Sequence, residues 1–111
     1  VQTIEADQPV AEAINMMSKN DFSQMPVTRQ GRIVGAINER NLYALLIKNT
    51  DIRKETVENI MQPAFPFTDI STPVKSLAHM LNGENDAVLV KDFKTDSTFI
   101  LTKADIIKAL N

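Results

Sequence analysis

Pro9 and Pro73 stand 64 positions apart, each at the head of a helical pattern, and the residues around them repeat. In the first half Asp7-Gln8-Pro9-Val10 opens a helix whose apolar face is Val10, Ala13, Ile14 and Met17. In the second half Ser71-Thr72-Pro73-Val74 opens one with Val74, Leu77, Ala78 and Leu81. Both prolines suit the first helical position, where the missing N–H costs nothing. A strand-like run follows each helix, Met25 to Arg29 and then Ala87 to Lys91. A turn comes next, Gln30-Gly31 in one copy and Asp92 to Ser97 in the other. The second strand runs are Ile33 to Ile37 and Thr98 to Leu101. Each copy closes with a helix, from Asn38 to about Lys48 and from Thr102 to about Leu110. The offset falls to 62 at the middle strands, pairing Pro26 with Val88, and returns to 64 where Asn38 matches Thr102 and Asn41 matches Asp105.

With leading strands near Gln2–Glu5 and Phe65–Phe67, the expected fold class is α+β, two β-α-β-β-α motifs. A copy of this size cannot bury a sheet face and two helix faces alone, so the motifs are expected to pack on each other by pseudo-twofold symmetry. The expected organisation is one tandem module over 1–111, with a first motif at 1–48, a linker at 49–63 and a second motif at 64–111. Within the linker, Val57 to Met61 reads as a short helix.

Composition narrows the function. The chain has no cysteine, so disulfides, thiolate metal sites and cysteine nucleophiles are excluded. Its one histidine, His79, lies off the apolar stripe of its helix and is expected to be exposed. No G-x-S-x-G turn, H-E-x-x-H helix or glycine-rich phosphate loop occurs, so the chain reads as a binding module, not an enzyme. Twelve Lys and Arg stand against fourteen Asp and Glu, without a basic run. That balance argues against nucleic acid and anionic membrane as partners. No apolar stretch approaches the ~18 residues of a membrane span, and no signal peptide opens the chain. Cytoplasmic localisation is the default expectation. Val1 in place of a methionine is expected of a chain cut or processed from a longer protein.

The ordered pieces resemble a known family. Thr3-Ile4 with Asp7-Gln8-Pro9-Val10, Gln24-Met25-Pro26-Val27, Gly35-Ala36-Ile37, the Val57 lead-in and Thr102-Lys103-Ala104-Asp105 together resemble a tandem pair of CBS domains, across essentially the whole chain. More narrowly, Asp21 to Val27, Asn59 to Pro66 and the Ala87–Val90 strand are similar to the C-terminal regulatory region of cystathionine β-synthase and its bacterial relatives. The resemblance implies a regulatory module, with pyridoxal phosphate held only by a parent catalytic domain. It also implies an adenosyl small molecule bound between the copies, and a homodimer formed through the helices. The rival reading is a module with a closed site that serves dimerisation or autoinhibition, or a CBS pair attached to a transporter, channel or nucleotide-metabolising enzyme.

The residues themselves give that site a physical basis. Thr102 precedes an apolar helical face and can cap free N–H groups. Asp105 falls in the first turn, where the helix dipole favours a carboxylate. An ionised carboxylate there can accept hydrogen bonds from a ribose diol, or serve only in a capping box. By the family arrangement Phe22, Ser23, Gln24 and Met25 face Thr102 and Asp105, with Ile100 lining the same slot. Phe22 and Met25 would hold an adenine face or simply pack in the core. The mirror-related position carries Asn38 and Asn41, a weaker ribose partner, so at most one good site per chain is expected. Gly35 is matched by Phe99, a side chain large enough to fill part of the Thr102 site or to pack behind it. The stretch Phe22–Met25 has no cation, which tilts the ligand toward S-adenosylmethionine or an unphosphorylated adenosyl group over AMP or ATP; Lys103 is the nearest candidate for a phosphate.

Overall fold

The structure, a computed structural model, describes residues 2–81 and 85–110. The outer ends of the two expected motifs, Val1 and Asn111, lie outside the described residues. The chain forms two compact units, one over Gln2–Ala64 and one from Phe65 onward. In the first, β1 (Ile4–Glu5), α1 (Val10–Asn20), β2 (Gln24–Arg29), β3 (Arg32–Asn38) and α2 (Glu39–Lys48) lead to a 3-10 turn at Thr50–Lys54 and α3 (Val57–Ile60). In the second, β4 (Phe67–Asp69), α4 (Val74–Met80), β5 (Ala87–Asp92), β6 (Ser97–Thr102) and α5 (Lys103–Ala109) repeat the order β-α-β-β-α. Each unit holds a three-stranded sheet with its middle strand parallel to the first and antiparallel to the third.

The prolines sit one position earlier than expected. Pro9 and Pro73 are the N-caps, with ψ near 150° (149° and 148°), so their backbones are still extended. In the first unit the freed Val10 N–H is satisfied from outside, by the Glu55 carbonyl at 2.8 Å. The α1 stripe is as read: Val10, Ala13 and Met17 are buried in the core with Met25, Val27 and Ile37. The α4 stripe is only half buried. Leu77 and Leu81 reach a smaller core with Val88, Val90 and Ile106, while Val74 and Ala78 are exposed. His79 is exposed.

Strand register corrects the repeat. Gln24 pairs with Asn38 and Met25 with Ile37, while Ala87 pairs with Thr102 and Val88 with Leu101. Met25 therefore corresponds to Val88, an offset of 63, and Pro26 corresponds to Leu89 rather than Val88. A one-residue slip moves a side chain to the other face of its sheet. Here Met25 and Val88 both point into their helix-covered cores. The remaining difference is taken up by a bulge between Val27 and Thr28 and by unequal hairpin loops. Gln30-Gly31 closes the first hairpin with positive φ at both residues (52° and 79°), the requirement of a type I′ turn. The longer second hairpin is clasped at 2.7 Å by Lys91 and Asp96. That hydrogen bond and the Lys91 charge hold the exposed Asp96 carboxyl below the ordinary carboxylate range.

The segment after α2 belongs to the first unit. Ile52 and Val57 are buried in its core. The N–H groups of Val57 and Glu58 donate to the carbonyls of Gln8 and Ala6. Farther on, Ala36 and Gln62 exchange backbone hydrogen bonds of 2.9 and 2.8 Å, which covers the open edge of β3. This strap explains Gly35: a Cβ there would lie 2.5 Å from Met61 Sδ and 2.9 Å from the Gln62 carbonyl oxygen. The sulfur can swing away, but the carbonyl is held by the hydrogen bond it accepts from the Ala36 N–H. Gly35→Ala should therefore destabilise the protein by about 1–3 kcal/mol through overpacking. A thermal melt should show the midpoint falling by several degrees, and an unchanged midpoint would count against the strap.

Candidate functional site

In both units the antiparallel ladder ends on a helix cap. Asn38 is the last residue of β3 and the N-cap of α2, where its Oδ1 accepts from the Asn41 N–H at 2.8 Å. Thr102 is the last residue of β6 and the N-cap of α5. There the chemistry is richer. Asp105 Oδ2 accepts from the Thr102 N–H at 2.9 Å and from its hydroxyl at 3.1 Å, while the Asp105 N–H is turned to Thr102 Oγ1 at 3.4 Å. This is a capping box with aspartate in place of the usual Glu or Gln. The cap occupies one carboxylate oxygen. Oδ1 has no hydrogen-bond partner among the described residues, and Asp105 is only half-buried.

Ile100 and Thr102 share a face of β6, since side chains alternate along a strand. Phe99, the candidate obstruction, points to the other face with Leu101 and is 48% exposed, so it is not on the side of Thr102. The Thr102 position is thus not plugged by Phe99.

The other expected residues lie in the first unit, at the entry to β2. Asp21, in the left-handed region at φ 56°, ends α1 and turns the chain. Ser23 is exposed, and its hydroxyl donates to Gln24 Oε1 at 3.1 Å. Its carbonyl accepts from the Glu39 N–H at 2.8 Å, joining the β2 entry to the first turn of α2. Met25 is 0% exposed and sits in the core, so its side chain packs and does not offer a free face to a ligand. Phe22 is half-buried against the same core. Within each unit the expected residues come together as neighbours: Phe22 to Met25 at one strand entry, and Ile100, Thr102 and Asp105 at one strand-to-helix junction.

One feature escaped the sequence reading. A groove of about 360 Å³ lies between α1 and α2, floored by Ile14, Met17, Leu42 and Leu46 and walled by Phe22 and Tyr43. Its signal was the run Leu42-Tyr43-Ala44-Leu45-Leu46-Ile47, too broadly apolar for a helix with a single buried face. Among the described residues no cluster of His, Cys, Asp or Glu could hold a metal ion. No described helix is long and apolar enough to cross a membrane.

Residues 1–48 match the model of the CBS domain family. The whole chain superposes on a CBS-domain containing protein from Agrobacterium tumefaciens with a TM-score of 0.85, at 19% identity, covering 100% of this chain and 90% of that one. The chain has the fold of a CBS domain pair. A CBS domain-containing protein from Bacillus anthracis is similar with a TM-score of 0.80 at 18% identity, covering 100% and 84%. The CBS-pair protein CBSX2 of Arabidopsis thaliana, solved in complex with AMP, gives a TM-score of 0.78 at 21% identity, covering 99% and 87%. No curated protein matches the sequence.

In this fold the cap of α5 is the locally checkable element. Thr102→Ala removes the hydroxyl from the box and should lower stability by roughly 0.5–2 kcal/mol, while Thr102→Ser should be nearly silent. Urea unfolding of the two variants reads the difference; equal midpoints would show that the hydroxyl does not support the helix.

Proposed function

We propose that this CBS pair is a regulatory module, without chemistry of its own, that senses an adenosyl ligand by gripping its ribose at Asp105. The observation that carries this is the divided carboxylate. Oδ2 is held by Thr102, which fixes the orientation of the group, and Oδ1 keeps its lone pairs for a donor such as a ribose hydroxyl. A preoriented anion loses less rotamer freedom on binding than a mobile one. The equivalent position in the first unit is Asn41, a neutral amide, so one ligand per chain is expected. Support for an adenosyl ligand comes from the AMP complex of CBSX2, a protein of the same fold.

The residues near the site separate the ligand candidates. AMP and ATP require cations at the phosphate end, and Lys103 is exposed beside Thr102. S-adenosylmethionine needs none from Phe22–Met25, and its sulfonium suits an acidic partner. The similarity of Asp21–Val27 and Asn59–Pro66 to the regulatory region of cystathionine β-synthase supports a pyridoxal-phosphate-dependent lyase as the parent. In such a parent the module would self-associate through its helices and bias the attached enzyme between two arrangements. A ligand achieves that only by binding one arrangement more tightly than the other.

Calorimetry on this chain with adenosine, AMP, ATP and S-adenosylmethionine is the test. At least one should bind near one per chain with sub-millimolar affinity, and Asp105→Ala should weaken it about tenfold or more while the circular dichroism spectrum is kept. Absence of heat with all four at millimolar concentration, or full affinity in the folded variant, would overturn the assignment and favour a pure interaction module.

A further inference from the structure

The groove between α1 and α2 joins two chemistries. Its floor is apolar and its walls are Phe22 and Tyr43, while the charged residues lining it are Asp21 and Glu39, with no Lys or Arg. Lys19 and Arg40, the bases nearest to them in sequence, lie outside the lining. The Glu39 N–H donates to the Ser23 carbonyl at 2.8 Å, so the end of α1 and the start of α2 meet and bring both acids to one end of the groove. Both acids are exposed, and neither carboxylate has a hydrogen-bond or ion-pair partner among the described residues. The volume of about 360 Å³ is that of a small-molecule pocket.

Asp21 is an unfavourable residue for the turn it makes. Its φ of 56° lies in the left-handed region, which glycine or asparagine fills most easily at a helix end. Its charge also stands at the negative end of the α1 dipole. Glu39, in the first turn of α2, is by contrast where the dipole favours an acid. A residue that breaks two local rules without a stabilising contact of its own points to a role outside folding. We infer that this groove binds a small organic ammonium, an apolar body carrying one positive charge. An anion would meet two like charges and no base. A neutral apolar molecule would displace water from the carboxylates and return no hydrogen bond. An ammonium gives charge-assisted hydrogen bonds to the acids and a cation for the aromatic walls, while its body covers the floor. The site lies wholly in the first unit and uses neither Thr102 nor Asp105.

Tyr43 is the only tyrosine and the chain has no tryptophan, so tyrosine fluorescence reads this groove directly. The probe is 2-cyclohexylethylammonium, titrated into the whole chain beside its neutral and anionic counterparts, 2-cyclohexylethanol and 3-cyclohexylpropionate. The ammonium should change the emission saturably with a midpoint below ~5 mM, and the other two should bind about fivefold more weakly or worse. Asp21→Asn keeps a residue suited to the left-handed turn, so the variant should melt no lower than the wild type and bind the ammonium about tenfold more weakly. No saturation with the ammonium, equal binding of the alcohol, or full ammonium affinity in Asp21→Asn overturns the site. So does a lower melting midpoint in that variant, which would give the carboxylate a structural role. Emission that follows protein concentration but not ammonium marks a second copy as the occupant and also overturns it. The calorimetry that tests Asp105 shares no variant and no ligand with these titrations, so either assignment can fail while the other stands.

Discussion

The middle strand of each unit is buried on both faces, and the rest of each fold is arranged around that requirement. In β2, Met25 and Val27 point into the helix-covered core while Pro26 and Thr28 are buried on the opposite side. In β5, Val88 and Val90 take the first role and Ala87 and Leu89 the second. A strand without a solvent face must find backbone partners on both edges, and it has them: a parallel neighbour on one side and an antiparallel one on the other. The antiparallel ladder also positions the site. It ends by setting Asn38 opposite Gln24 and Thr102 opposite Ala87, so the register of the central strand decides where each following helix begins.

The two units use that common plan differently. The first extends past α2 into a strap whose Ile52 and Val57 enlarge the core and whose Gln62 closes the β3 edge. The second has a smaller core among the described residues and a shorter α4, and carries a reciprocal box at the cap of α5. Replacing the Asn38/Asn41 pair by Thr102/Asp105 changes a simple cap into a reciprocal box holding an ionisable group. That substitution is what makes one junction a candidate for a charged contact with a ligand and leaves the other a structural joint.

Much of the fold was legible because its signals are local. Helix order and the Thr102–Asp105 and Asn38–Asn41 caps depend on residues at most a turn or two apart, and the structure has them where the spacing put them, while the two prolines fall one position before the first helical turn. Site identity was less legible. Phe22 and Met25 look alike as apolar neighbours of a strand entry, but Met25 belongs wholly to the core. Phe99, open to filling part of the Thr102 site or packing behind it, lies on the other face of β6. Each outcome turns on which way a side chain points, and in an unbroken apolar run such as Ala87-Val88-Leu89-Val90 no polar residue marks the faces.

By itself, then, the sequence determined the duplication, the order of elements, the absence of cysteine chemistry and the local caps, because those follow from short-range sterics and hydrogen bonding. Tertiary structure decided the 63-residue correspondence of the central strands, the need for glycine at position 35, the groove between α1 and α2 and the oxygen of Asp105 left open by its cap. These are set by which distant segments come within a few ångströms of one another, as Met61 and Gln62 do at Gly35, and that proximity is a property of the packed chain alone.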